Sequence, residues 1–325
     1  MKDIFAPNTN QFESRYPELL QYGDAIQKSY WTKHEFNFTS DIDDFRVKVM
    51  PSEKEAIKKT MLAISQIEIK VKRFWGNLYN RLPQPEIDDV GGIFAESEVR
   101  HKQSYSLLLK ILGLVDEFEN LGNVKAIKDR EDYLIKYLDG SRSSDNRMYT
   151  KSVLLFSMFI EHVSLFSQFL IMMSFNKERN LFKGISNVVA ATSKEEDVHG
   201  NFGANIIRII KEENPHWFDK ELNNIIISAC KKAYEAECKI LDWIFESGEL
   251  EFLKKETIKN FIKNRFNQSL NSIGFDDVFK VDFNELDKVL WFDVELKATK
   301  ENDDFNKRSV DYNKFSQEVS ENSIF

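Results

Sequence analysis

The sequence predicts an all-α protein, a bundle of long helices around one core, and three observations carry that prediction. With 12 Gly and 6 Pro in 325 residues, the chain has few places to turn, which suits long uninterrupted helices better than a turn-rich β architecture. Several segments repeat apolar residues at alternating steps of four and three, the stripe a helix turns towards a core. In four of those stripes a carboxylate sits where Leu or Ile is expected, and in two of the four an imidazole follows it. An ionised carboxylate buried without a partner is very costly, so something must neutralise these four.

Taken in order, residues 1–30 read as an extended arm or short helix, followed by Trp31 in SYWTKHEF. A polar stretch with Asp41, Asp43 and Asp44 leads to Pro51-Ser52-Glu53, a helix start. From there to about Tyr79 the stripe is Ile57, Met61, Ile64, Glu68, Val71, Trp75 and Leu78, with Lys72 placed to contact the Glu68 carboxylate four residues earlier. Pro83 and Pro85 break the chain. The next helix, about 86–112, has the stripe Ile87, Gly91, Phe94, Glu98, His101, Tyr105, Leu108 and Leu112.

After a polar loop near 140–145 comes an apolar helix with the stripe Leu154, Met158, Glu161, Leu165, Gln168 and Met172. Its Val153–Phe175 stretch is the nearest thing to a membrane span, but Glu161, His162 and Gln168 interrupt it, and the interior of a bundle explains it better. The following stripe is Ile185, Val189, Thr192, Glu196, His199, Gly203, Ile206 and Ile210, a second Glu-x-x-His in the same phase as the first. A coarse duplication results: one helix with a single Glu, then, 30 or 35 residues on, one with Glu-x-x-His. Beyond Pro215, two amphipathic helices (about 218–247 and 254–270) are expected to carry no comparable polar intrusions. Residues 1–300 thus form one domain, and the polar stretch 301–325 reads as a flexible tail.

Composition narrows the function. A net charge of −8 argues against a nucleic-acid surface, which needs concentrated Lys and Arg. Cys230 and Cys238 lie eight apart in one helical segment, which excludes a disulfide between them and does not fit a zinc site. Reduced thiols suit a cytoplasmic protein, and the N-terminus has no apolar signal core.

Collected, the intrusions are Glu68, Glu98, His101, Glu161, Glu196 and His199. One Glu from each of two helices plus Glu-x-x-His from each of the other two is the known ligand set of ferritin-like dinuclear carboxylate proteins, and the match is to that known pattern. Four carboxylates carry −4, which two divalent ions cancel. Carboxylate with imidazole suits iron, manganese or zinc, and bridging carboxylates favour a redox-active pair of iron or manganese. The bland alternative is an acidic bundle whose buried Glu bond to Lys72 and backbone. Glu213-Asn-Pro-His216 repeats the spacing, but Pro215 rules out a helix interior. His162 points roughly 100° away from Glu161 around the helix and suits a packing role.

In order and spacing these residues resemble the small, radical-generating subunit of class I ribonucleotide reductase, from about Trp31 to the tail. The resemblance implies a ferritin-like fold and a dinuclear metal centre, activated by dioxygen or superoxide, that stores an oxidising equivalent as a high-valent metal pair or a tyrosyl radical. Tyr105, four after His101 in HKQSY, matches the tyrosine beside the metals in that family. Trp31 resembles the tryptophan through which the equivalent leaves, and Tyr312 the tail tyrosine that relays it to the catalytic large subunit, where ribonucleotides are reduced to deoxyribonucleotides. The terminal SIF resembles the docking peptide.

The family also implies a homodimer and, in some members, a flavodoxin-like activating protein. Two positions depart from the commonest pattern: Glu68 stands where Asp is usual, and Glu195, preceding the second Glu-x-x-His, also replaces Asp. A glutamate first ligand resembles the manganese-using variants, which favours two manganese over manganese/iron or two iron. Lys72 and Glu195 lie behind the ligands and bear on the metal choice. Iron storage in a ferritin-like shell and a metal-dependent oxidase are the rival readings. The first involves shorter chains that need neither Trp31 nor Tyr312, and the second would need a tunnel to the metals and keep its activity without residues 301–325.

Overall fold

The computed structural model describes residues 2–10, 12–70 and 74–297, with the side chains of residues 69, 70 and 136–139 also left out. Lys72 and Tyr312 therefore lie outside the described residues, as does the whole 301–325 segment. Every regular element among the described residues is helical. The main helices are α1 (Leu20–Lys28), α2 (Pro51–Lys70), α3 (Pro85–Leu112), α4 (Lys125–Leu138), α5 (Asn146–Arg179), α6 (Lys183–Glu213), α7 (Lys220–Ile244), α8 (Lys255–Asn271) and α9 (Leu290–Lys297). Four of them close a ring in which α2 packs on α3, α3 on α6, α6 on α5, and α5 on α2. Around that ring, α1 covers α3 and α6, α7 lies against α2 and α4, and α8 packs on α5.

Local chemistry explains the ends of these helices. Pro85 opens α3 with a backbone already set for a helix, and Gly113 closes it at φ 71°, a left-handed conformation cheap only for glycine. The stripe through Leu78 predicts α-helix to about Tyr79, and its last positions depart from that. Residues Trp75–Asn80 form a separate 3-10 turn, still buried at Trp75 and Leu78. Asp145 and Asp219 cap α5 and α7 by accepting from Met148 N at 2.7 Å and Leu222 N at 2.9 Å.

The start of α6 is capped from outside its own sequence. Asp41 accepts from Ile185 N at 2.7 Å and Gly184 N at 3.2 Å, and Asp44 accepts from Phe182 N at 2.8 Å. Asp41→Ala would strand two buried N–H groups. We expect a loss of about 1–3 kcal/mol per stranded donor, read as a lower urea midpoint with an unchanged slope.

Helix α5 is long and apolar enough to cross a membrane, and its most apolar window is entirely buried in the protein. That agrees with an apolar-all-round core helix. Its Phe156–Ser164 stretch is π-helical, a wide turn often found at functional sites. Helix α6 approaches it closely because Gly200 and Gly203 lack side chains: a Cβ at either would run into the His162 ring or Ser157. His162 contacts Ser269 Oγ through Nδ1 at 3.2 Å, in keeping with a packing role.

Helices α7 and α8 correct the expectation of no polar intrusions. Glu237 on α7 is fully buried, and Asn260, Arg265 and Asn267 on α8 are buried too. Glu237 faces Arg130 of α4 at 4.0 Å, and Gln66, Gln168 and Tyr133 complete the polar knot with hydrogen bonds. Each charge belongs to an otherwise amphipathic helix, so only the tertiary pairing reveals that it is inside. Both cysteines are free.

Candidate metal centre

The ring of four helices brings the six predicted residues to one place. Glu68 comes from α2, Glu98 and His101 from α3, Glu161 from the π-helical part of α5, and Glu196 and His199 from α6, all at most 1% exposed. Their ligating atoms form two overlapping groups: Glu68, Glu98, His101 and Glu196; and Glu98, Glu161, Glu196 and His199. Within each group these atoms lie within 4.8 Å of one another. Each group could hold one ion among its donors.

The imidazoles are aimed. His101 turns Nδ1 towards Glu196 at 2.9 Å and Glu68 at 3.6 Å. His199 turns Nδ1 towards Glu98, Glu196 and Glu161 at 3.2, 3.3 and 3.4 Å. From behind, Glu195 holds His101 Nε2 at 2.7 Å and Ser97 Oγ holds His199 Nε2 at 3.0 Å. Such backing bonds fix the tautomer and orientation of a metal-binding histidine. Seen from the cluster, Glu195 lies behind His101.

The inward atoms are the ones left without hydrogen bonds: both oxygens of Glu68, Glu98 and Glu161, Oε1 of Glu196, and Nδ1 of both histidines. A native interior seldom tolerates so many unsatisfied groups, and cations are what these donors lack. The residues therefore fit a dinuclear metal centre.

Electrostatics agree. Burial pushes the Glu68 and Glu161 carboxyls well up and raises Glu98, with neighbouring carboxylates adding to it. Burial would also raise Glu196, but His199 and His101 outweigh it and hold that carboxyl well below the usual range. Burial disfavours charged His101 and His199, yet the carboxylates win and hold both well above the ordinary imidazole value. In this cage the imidazoliums play the part that two metal ions would take.

Aromatic side chains wall the site. Phe94 and Trp75 lie 4.2 and 5.8 Å from His199, and Phe156 packs on Trp75. Tyr105 is fully buried with its hydroxyl beside that of Thr192, and burial, then the Glu68 charge, push its phenol well above its ordinary range although Thr192 opposes them. Trp31 is buried and stacks on His101 with ring centroids 5.9 Å apart and planes 14° off parallel. His216 is exposed, and Glu213 instead binds Tyr16 and the Ile4 amide, so the decoy pair forms no site.

Reading the stripes alone misses Ser97 and Arg100. Arg100 is 6% exposed and binds Glu195 at 3.1 Å. The one local signal is its i,i+4 spacing from Glu96.

Comparison with known proteins converges on one family. Residues 8–286 match the family described as ribonucleotide reductase, small chain. A probable ribonucleoside-diphosphate reductase small subunit of Invertebrate iridescent virus 3 is 23% identical, over 96% of this chain and 86% of its own. Among solved structures, the ribonucleotide reductase R2 subunit of Clostridium botulinum superposes with a TM-score of 0.81 at 17% identity, covering 91% of this chain and 95% of its own. The dimanganese(II) NrdF of Streptococcus sanguinis does so with a TM-score of 0.76 at 17% identity, covering 90% and 100%.

Proposed function

Because the chain belongs to the ribonucleotide reductase small-chain family, we propose that it is the radical-generating subunit of a class I ribonucleoside-diphosphate reductase. The observation that carries this reading is the pair of histidines whose Nδ1 atoms converge on four carboxylates while Glu195 and Ser97 grip their far nitrogens. On this reading Glu68, Glu98, His101, Glu161, Glu196 and His199 hold two metal ions. When bound, the ions supply one-electron oxidising chemistry drawn from dioxygen or superoxide. Family membership favours this over iron storage or an independent oxidase.

The chain's own residues do the rest. Glu98 and Glu196 belong to both ligand groups and would help to hold both ions. Phe94, Trp75 and Phe156 keep water from the site, which strengthens every charge interaction inside it. Tyr105, with its proton held on the hydroxyl by burial, is the side chain placed to give up an electron and that proton. Trp31, stacked on His101, is the exit towards a partner. That partner is the large subunit, engaged through residues 301–325 with Tyr312 as the relay, and the working form is a homodimer in the cytoplasm. A glutamate at position 68 supports manganese in both positions, with a flavodoxin-like protein as a source of oxidant.

Reconstitution tests the reading. Metal-loaded protein mixed with the large subunit should reduce ribonucleoside diphosphates, and a lack of turnover with every metal and oxidant would refute it. Removing residues 301–325 should abolish that turnover and leave the metal content unchanged. Elemental analysis with electron paramagnetic resonance of the protein as expressed should show coupled manganese. An iron pair with a tyrosyl radical would overturn the metal assignment alone.

A further inference from the structure

Trp31 lacks an anchor of its own. Its indole N–H is buried and has no hydrogen-bond partner, so nothing polar on the ring fixes its rotation. Yet the ring lies nearly parallel to His101. Phe36 packs edge-on against it at 5.4 Å, and the charged group that reaches it is the Arg100 guanidinium, whose carbon stands 5.3 Å from the Trp31 ring centroid and 4.7 Å from that of half-exposed Tyr30. Arg100 Nη1 also donates to the Trp31 carbonyl at 3.2 Å.

The guanidinium is itself fixed on two sides. Its Nε donates to both Glu96 oxygens at 2.9 and 3.1 Å, and Nη1 donates to Glu195 at 3.1 and 3.3 Å. Glu195 in turn holds His101 Nε2. One planar fork therefore ties α3, α6 and the segment bearing Trp31 into a single cluster. A planar cation against an aromatic face is held electrostatically, and more firmly when water is excluded. An ammonium lacks both the fork and the flat face.

We propose that Arg100 is a positioning residue that holds Trp31 in stacked contact with His101. Its part in the reaction rests on the function proposed above: it would be needed for passage of the oxidising equivalent out of the site, and dispensable for holding the metals. Electron transfer between aromatic groups depends on their relative placement, so an unclamped Trp31 should transfer poorly.

The test uses full-length protein grown with 5-fluorotryptophan, without added metal. Its 5 Trp give separate fluorine resonances, and Trp31→Phe identifies the one from Trp31. In Arg100→Met and Arg100→Lys that resonance should shift, broaden and become accessible to a soluble paramagnetic reagent, while the other four stay in place. Glu96→Gln, a change at an exposed carboxylate, should move the same resonance less and serves if the Arg100 variants fold poorly. An unmoved Trp31 resonance in the folded variants would overturn the proposal.

In loaded protein, Arg100→Met should keep the wild-type metal content and lose turnover by about a hundredfold. Loss of metal would instead show that Arg100 acts through His101, again overturning the proposal. If wild-type protein itself never turns over with the large subunit, the functional reading fails while the fluorine result still decides the clamp.

Discussion

Glu196→Gln is expected to empty both metal positions at once, whereas Glu68→Gln or Glu161→Gln should empty only one. Glu196 faces both imidazoles, through Oε1 at 2.9 Å from His101 Nδ1 and Oε2 at 3.3 Å from His199 Nδ1. It shares membership of both ligand groups with Glu98, while Glu68 belongs to the first alone and Glu161 to the second alone. A bridging carboxylate lost from a pair costs each ion a donor and leaves their mutual repulsion less screened. Loss of a mere supporting partner weakens metal affinity about 10- to 100-fold, and loss of a shared ligand should exceed that for both ions. Elemental analysis after loading and desalting measures the ratio of metal to chain. A Glu196→Gln protein that keeps one ion tightly would show Glu196 to be a terminal ligand.

The second large effect is a change in how stability depends on pH. Without metal, the Glu68, Glu98 and Glu161 carboxyls are raised by burial above their ordinary 4.5. Above that pH the folded protein keeps protons that the unfolded chain has shed, so stability falls as pH rises. His101 and His199, raised above their ordinary 6.5, act in the same direction: their contribution is complete below that pH and is lost as pH climbs through their folded values. Glu196, held low, opposes this only below about pH 4.5, and His162, pushed down to about 4 by burial, opposes it between there and 6.5 as one group against those three carboxyls. The metal-free protein should therefore melt at progressively lower temperature from about pH 4.5 upward.

Divalent ions replace those protons, so loading should release protons and bind more tightly as pH rises. At ligand concentrations about 1,000 times Kd, each site adds about 4 kcal/mol, a Tm rise on the order of 10 °C for a chain of this size. Calorimetry of metal-free and manganese-loaded protein across this range measures both. Parallel curves for the two forms would mean that the six side chains do not exchange protons for metal.

Much of this centre was legible before any coordinates, because a polar side chain on an apolar stripe is visible in one dimension. Glu68, Glu98, His101, Glu161, Glu196 and His199 each interrupt such a stripe, and all meet in one place. Glu195, Trp31 and Tyr105 were reached through the family resemblance, and the structure sets all three against the cluster. What stayed hidden depends on contacts across the fold. Asp41 and Asp44 look like loop residues until they cap a helix some 140 positions away. Glu237 and Arg130 look like solvent charges until they pair inside. Ser97 carries no signal of its role and Arg100 only its spacing from Glu96, since serine and arginine suit a helix surface equally well. The 3-10 turn at Trp75–Asn80 was hidden because Trp75 and Leu78 stay buried in it.

The π-helical turn of α5 was also invisible, since a helix apolar on every side has no phase to read. It gives the helix slack in chain length at one point. Phe156–Ser164 carries about a residue more per turn than its flanks, so deleting one residue between 156 and 160 lets the segment relax to ordinary α geometry. The larger rotation per residue in an α turn then makes up for the missing one, and Glu161 keeps nearly the same bearing as the flanks on either side. A single lost codon there would spare both the helix and the carboxylate it presents.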